Sequence, residues 1–363
     1  MDIDLAELSR AVGSPVSTYT VTAIEPDLRV HSVTGGVYRV TGEGFSLVIK
    51  VVQRGRDDTG DDGLWVSGES PEHRNYWKRE WLAYSTGLLD ALPGELRAPR
   101  TLLTTTPSDD ECWIWMEDVE GYPGREWAVA DYDSVAFDLG TTQAAFASGR
   151  SILPSEPWLA RGWLRSWVAL FEPRMKALDD PSGYPQEWRT TIETLAQRVQ
   201  ALWDRRESLL AIVESAPLTL VHADLWPANL IAADDGTTVA LDWSQIGIGA
   251  LAQDLDQLIL DPVWMQVRPD TDLEDLETNV LRGYGSGLRS SGIDLPASTL
   301  RHWYAAAASV HYAPMLGAAA GLTQPDIDAA LRRWNRPYPE VVAHRATVIE
   351  RALDLGEWAL ARG

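Results

Sequence analysis

Residues 220–243 read LVHADLWPANLIAADDGTTVALDW and hold four polar side chains, His222, Asp224, Asn229 and Asp242, around a segment with few ways to fold. Residues 230–232 and 237–241 are short runs of apolar and β-branched residues, and Asp234, Asp235 and Gly236 between them are turn formers, so the spacing predicts a β-hairpin. Pairing of its strands puts the residue before the first strand beside the residue after the second. Asn229 and Asp242 then lie within reach of one ion. Two hard oxygen donors suit Mg²⁺, which keeps several waters and is usually held by one or two carboxylates plus substrate phosphates. Asp224, five residues before Asn229, sits on the loop entering the hairpin and can face an incoming hydroxyl.

This order matches the kinase catalytic loop H-R-D-x-x-x-x-N followed by a metal-binding Asp, with Ala223 in place of Arg and Asp242-Trp243-Ser244 in place of D-F-G. The missing Arg removes the partner of a phosphorylated activation loop, and no A-P-E follows, which argues against a protein kinase regulated in that manner. The segment instead resembles the aminoglycoside phosphotransferase and choline kinase superfamily, whose pattern is H-[GA]-D-x-x-x-x-N, then a hydrophobic residue, Asp and an aromatic residue. Gly249 and Asp254-Leu255 fit that family's G-x-x-x-x-D-L continuation, where the Asp braces the catalytic loop. His222 is read as a second brace, its ring holding backbone or Asp242, not as an acid or base. A zinc-hydrolase reading of His222 and Asp224 lacks ligands, since only six His are scattered along the chain and Cys112 is the sole thiol.

The resemblance covers roughly residues 28–260 and implies a bilobal, protein-kinase-like α+β fold. Residues 1–117 would form a nucleotide-binding lobe, a small antiparallel sheet with one main helix. Residues 118–363 would form a larger, mostly helical lobe carrying the catalytic hairpin and the acceptor site. Upstream, residues 28–34, 37–41 and 45–52 alternate or run apolar, separated by Gly35-Gly36 and Gly42-Glu43-Gly44, and predict three antiparallel strands. Gly35 and Gly36 would let backbone N–H groups approach phosphates without a Cβ in the way. Lys50 ends the run LVIK at the position of the kinase lysine that reaches the α and β phosphates, and Glu80 fits its partner on the following helix, where Trp77, Trp81, Tyr84 and Leu88 recur at helical spacing. The loop 57–70 reads either as a cover over the nucleotide or as plain disorder. WIWMEDVEG, residues 113–121, has the character of the family's strand into the inter-lobe linker, and Glu117, Asp118 and Val119 are assigned to the adenine edge by order along the chain.

Composition is globular, 45% hydrophobic and 23% charged, and the formal net charge of −22 argues against nucleic acid or an anionic membrane as partner. The same charge would favour a cationic acceptor, although solubility is its commoner cause. One Cys implies no disulfide and a reducing, cytoplasmic setting, and the start MDIDLAELSRAVG is acidic and amphipathic, unlike a basic signal peptide. Residues 135–147 resemble that family's first large-lobe helix, with Leu139-Gly140 matching its L-G pair, and residues 157–178, 187–210, 272–290, 297–322 and 325–358 read helical. The apolar stretch 305–322 is read as a buried helix broken near Pro314. Trp158, Trp163 and Trp167 read as core, not as a stacking platform.

The expectation is therefore an O-phosphotransferase using ATP or GTP and Mg²⁺ to phosphorylate a small hydroxylated molecule. An antibiotic of aminoglycoside, macrolide or nucleoside type is the favoured acceptor. A metabolite such as choline, homoserine, methylthioribose or an amino sugar is the alternative, and a catalytically idle nucleotide-binding scaffold the more distant one.

Overall fold

The strand FSLVIKVVQ carries apolar residues on both faces, and it occupies the middle of a sheet. In the computed structural model, which describes residues 2–24, 33–55, 66–328 and 337–362, the first elements are α1 (Leu5–Val12), β1 (Thr20–Ile24), β2 (Thr34–Gly42), β3 (Phe45–Gln53) and α2 (Arg79–Ser85). They are followed by β4 (Leu96–Arg97), β5 (Thr101–Ser108), β6 (Glu111–Glu117) and β7 (Gly121–Pro123). The chain divides into two compact units, one of residues 1–124, 154–161 and 229–247, the other of 125–153, 162–228 and 248–363.

The first unit holds an antiparallel sheet in the order β1-β2-β3-β6-β5. Leu47, Ile49 and Val51 of β3 share a core with Val40, Trp113 and Trp115, and Leu8 and Ala11 of α1 pack into it. The Asp4 side chain accepts the Ala6 N–H to start α1, and Gly13, in the left-handed region at φ 78°, ends it. A second sheet runs β4, Thr238–Ala240, Leu230–Ala233, β7. Its centre is the hairpin expected from sequence, paired Leu230 with Ala240, Ile231 with Val239 and Ala232 with Thr238. The Asp235 carboxylate accepts the Thr237 N–H, and Gly236 takes φ 86° to close the turn. By contacts, this hairpin falls in the same compact unit as the five-stranded sheet and α2.

Two details of the sheet differ from the sequence reading. β1 was not anticipated, and Gly35-Gly36 does not form a turn but lies inside β2, where the register with β3 shifts between Thr34 and Gly36. A Cβ on Gly35 would stand 2.8 Å from the Val51 side chain, so the bulge needs a glycine there. The expected strand at 28–34 falls largely, and the 57–70 loop mostly, outside the described residues.

The second unit is mainly helical. α3 (Asp131–Ala147) crosses the helix Leu273–Ser290 at close range because the contact is lined by glycine. A Cβ on Gly283 would meet the Asp133 carbonyl at 2.1 Å, and one on Gly287 the Phe137 carbonyl at 2.2 Å. α4 (Trp163–Met175) is shorter than the predicted helix 157–178, and the single helix expected at 187–210 is two, Arg189–Asp204 and Arg206–Glu214. The apolar stretch divides at Pro314 into Ala297–Tyr312 and Met315–Ala320, as anticipated, and no helix of the described residues is long and apolar enough to cross a membrane. Trp158 and Trp167 are core residues, and Trp163, half-buried, stacks on Trp167 at 5.1 Å.

Candidate active site

Lys50 occupies the middle of β3, between neighbours β2 and β6, and its side chain is buried. A buried ammonium needs partners. Glu80, second residue of α2, places Oε2 2.6 Å from Nζ, and Asp242, just past the hairpin, places Oδ1 2.9 Å from it. The other Glu80 oxygen accepts the Trp243 N–H at 3.2 Å. One cation thus joins the sheet, the helix and the hairpin mouth within the first unit. Burial opposes the charge on Lys50, but Asp242 and Glu80 outweigh it and hold the ammonium above its usual range. Burial pushes Glu80 up to about 7, against the pull of Lys50.

Asn229 and Asp242 flank the open end of the hairpin, as the sequence spacing requires. The Asn229 carbonyl accepts the Leu241 N–H at 2.8 Å, which fixes the two flanks side by side. Asp242 takes φ 54° and ψ 68°. Among the described residues only four non-glycine residues have positive φ, and Asp242 and Ala223 are two of them. Such backbone is held only where the surroundings over-determine it, and it concentrates at functional sites.

In the second unit, the strand Leu218–Val221 delivers the loop that bears Asp224. Asp254 braces that loop: Oδ2 accepts the His222 N–H and Oδ1 the Ala223 N–H, each at 3.0 Å. Burial pushes Asp254 up to about 7 despite these donors. His222 is buried, and its Nδ1 accepts the Asp224 N–H at 3.3 Å, the backbone-holding role expected of it.

Three further residues complete the brace and were not singled out from the sequence. Gln143 of α3 donates from Nε2 to Asp254 Oδ2 (2.8 Å) and to the Leu220 carbonyl (3.2 Å). Tyr284 donates to Gln143 Oε1 and accepts the Ala252 N–H. Gln257 accepts the Leu225 N–H at 2.7 Å and donates to the Ala223 carbonyl at 2.9 Å. Backbone on both sides of Asp224 is therefore anchored to buried amide or carboxylate groups. The available signal was a pair of glutamines inside otherwise apolar helical runs.

At the end of β6, Glu117 and Asp118 use their side chains structurally. Glu117 pairs with Arg97 (2.5 Å) and with Arg100, and although burial pushes it up, hydrogen bonds from the two guanidiniums hold it below the usual carboxylate range. Asp118 pairs with Arg39 at 2.7 Å and accepts from Ser46. The Glu117 N–H is also committed, to the Arg100 carbonyl.

Donor chemistry at the hairpin mouth suits a hard cation: one amide oxygen and one carboxylate. Among the described residues no group of three or more His, Cys, Asp or Glu is placed to hold a metal by itself.

The model of the phosphotransferase enzyme family (APH) matches residues 37–292. No curated protein matches the sequence. Among solved structures, a spectinomycin phosphotransferase is similar at 14% identity, covering 97% of this chain and 100% of that one with a TM-score of 0.52. An aminoglycoside phosphotransferase from Alicyclobacillus acidocaldarius is similar at 11% identity, with 94% and 92% covered and a TM-score of 0.55. A choline kinase from Cryptosporidium parvum is similar at 12% identity, with 95% and 91% covered and a TM-score of 0.54. At these identities the likeness is one of fold.

Proposed function

Because the chain belongs to the phosphotransferase enzyme family, we propose that it moves the terminal phosphoryl group of ATP or GTP onto a hydroxyl of a small molecule, with Asp224 as the residue that orients that hydroxyl. The observation that carries this reading is the buried Lys50 held between Glu80 and Asp242. A buried lysine is costly to keep, and a phosphate-binding site gives it a use beyond balancing its two carboxylates.

In this reading Asp224 accepts a hydrogen bond from the acceptor hydroxyl and aligns it with the phosphorus. The transition state is loose, so alignment matters more than full deprotonation. Lys50, held by Glu80, positions the α and β phosphates. Asn229 and Asp242 would hold Mg²⁺, which supplies charge neutralisation between the phosphates when bound. Backbone N–H groups of the Gly35-Gly36 bulge serve the phosphates. With the Glu117 N–H committed to the sheet and the Glu117 and Asp118 side chains paired, the adenine contacts of 117–119 fall to main-chain groups, Val119 foremost.

For the acceptor, a chain carrying 31 Lys and Arg against 53 Asp and Glu favours a cation. The spectinomycin enzyme was solved with ADP and spectinomycin, and the choline kinase is named for a quaternary amine. A hydroxylated amine of antibiotic type is the class we assign, acting in resistance or self-protection. The test is incubation of the protein with Mg·ATP or Mg·GTP and a panel of hydroxylated antibiotics and metabolic amino alcohols, read by mass spectrometry. Gain of one phosphoryl group by an amine-bearing antibiotic is expected. Phosphorylation confined to the metabolites transfers the assignment to metabolism. Nucleotide binding without transfer to any panel member, and without acceptor-stimulated ATP hydrolysis, points to an idle scaffold.

A further inference from the structure

Arg79, the residue before Glu80, is fully buried, and among the described residues no carboxylate pairs with it. Its guanidinium is spent on backbone carbonyls instead: Nη2 on His73 (2.7 Å), Nη1 on Arg74 (2.7 Å) and Ser244 (3.2 Å), and Nε on Trp158 (2.9 Å). Burial lowers its pKa to about 10, which leaves it charged at neutral pH. A cation buried without an anion is costly, and a chain keeps one where its donors fix something that simpler packing would not.

The fixed groups are three separate stretches of the first unit. Residues 73–74 lead into α2. Trp158 belongs to 154–161, the short excursion that leaves the helical unit between α3 and α4 to join this one. Ser244 lies two residues past Asp242. The turn after Asp242 is thus held from two sides by consecutive residues of α2: Glu80 accepts the Trp243 N–H, and Arg79 donates to the Ser244 carbonyl. Gln245 adds a third link through Nε2 to Asn75 Oδ1 at 3.3 Å. This turn starts from the left-handed backbone of Asp242, a conformation that reverts unless its continuation is anchored.

We propose that Arg79 is the positioning residue that aims the Asp242 carboxylate, acting on metal and nucleotide through the turn 243–245. The inference rests on the reading of Asp242 as a metal ligand. Lysine cannot replace it, because a point ammonium lacks the planar fork that reaches carbonyls on three strands of chain at once.

The experiment is titration of MgCl₂ into the full-length protein with the non-hydrolysable analogue AMP-PNP, for wild type, Arg79→Lys and Asn75→Ala, with melting curves in parallel. Expected for Arg79→Lys is a rise on the order of tenfold in the Mg²⁺ concentration at half-maximal nucleotide binding, as for loss of a group that orients a metal ligand. Acceptor KM should stay put. A folded Arg79→Lys protein with the wild-type Mg²⁺ midpoint overturns the proposal. Where that variant fails to fold, Asn75→Ala decides: it removes the acceptor of Gln245 on the same turn, so a raised midpoint supports the proposal and an unchanged one overturns it. Wild-type protein that binds AMP-PNP with no magnesium dependence instead overturns the metal assignment of Asp242.

Discussion

The Lys50 ammonium stands 2.9 Å from Asp242 Oδ1 while Glu80 holds it from the other side at 2.6 Å. Replacing Lys50 with Met keeps its apolar stem and removes the cation that pairs with both carboxylates. Stranding buried charges in this way costs about 3 kcal/mol or more. We expect urea unfolding to show that loss at pH 8, and the KM for Mg·ATP to rise by about tenfold or more through the lost phosphate contact. Equal stability of Lys50→Met and wild type would mean that the two carboxylates do not need the lysine.

Asp224 has a separate role in the proposed reaction, and its removal should read differently. Asp224→Ala is expected to lose about 10²-fold or more in turnover while nucleotide affinity is retained, because alignment of the hydroxyl is lost and the phosphate contacts are not. Single-turnover transfer together with fluorescent-nucleotide titration separates the two quantities. Unchanged turnover removes Asp224 from the mechanism.

What the sequence revealed, and what it hid, follows from the range of each interaction. The hairpin was readable because alternation, Asp234-Asp235-Gly236 and the flanking Asn229 and Asp242 all lie within one short segment, and hairpin pairing is a local event. Asp254 was readable through its motif. Gln143, 111 residues from Asp254, was not, since no local rule says which buried amide of α3 reaches a distant carboxylate. Gly35-Gly36 looked like a turn because a glycine pair serves turns and bulges alike, and the choice is made by Val51 on the neighbouring strand. Arg79 carried no reading from the sequence. One of its acceptors, the Trp158 carbonyl, belongs to the 154–161 excursion, which leaves no periodic trace.

Asp242→Ala and Asn229→Ala should both act on the metal, but unequally. The carboxylate supplies the charge and also balances Lys50, whereas the amide supplies one neutral oxygen. Loss of magnesium-dependent ATP binding is expected for Asp242→Ala, and a weakening of about tenfold for Asn229→Ala. Calorimetric titration with Mg·ATP measures both. Normal affinity in Asp242→Ala refutes its role, and a larger effect from Asn229 than from Asp242 reverses the assignment of charge at the site.

Asp254 gives a pH test that is independent of any ligand. Its folded-state pKa is pushed up to about 7 from its ordinary 3.8, mainly by burial, so between those values the folded protein holds a proton that the unfolded chain has released. The contribution to stability is therefore fully present below the unfolded value and is lost as pH rises through about 7. Asp254→Asn removes that titration. The wild-type minus variant difference in unfolding free energy, from urea curves between pH 5 and pH 8, should fall steadily with pH and level off above the folded pKa. Activity should move the opposite way: the His222, Ala223 and Gln143 donors need an acceptor, which the ionised carboxylate provides best, so turnover rises as Asp254 loses its proton. In Asp254→Asn an amide N–H₂ faces one of these donors, and turnover should be low at every pH with the acid limb gone. A variant with the wild-type pH profile would assign that limb to another group and leave Asp254 as packing alone.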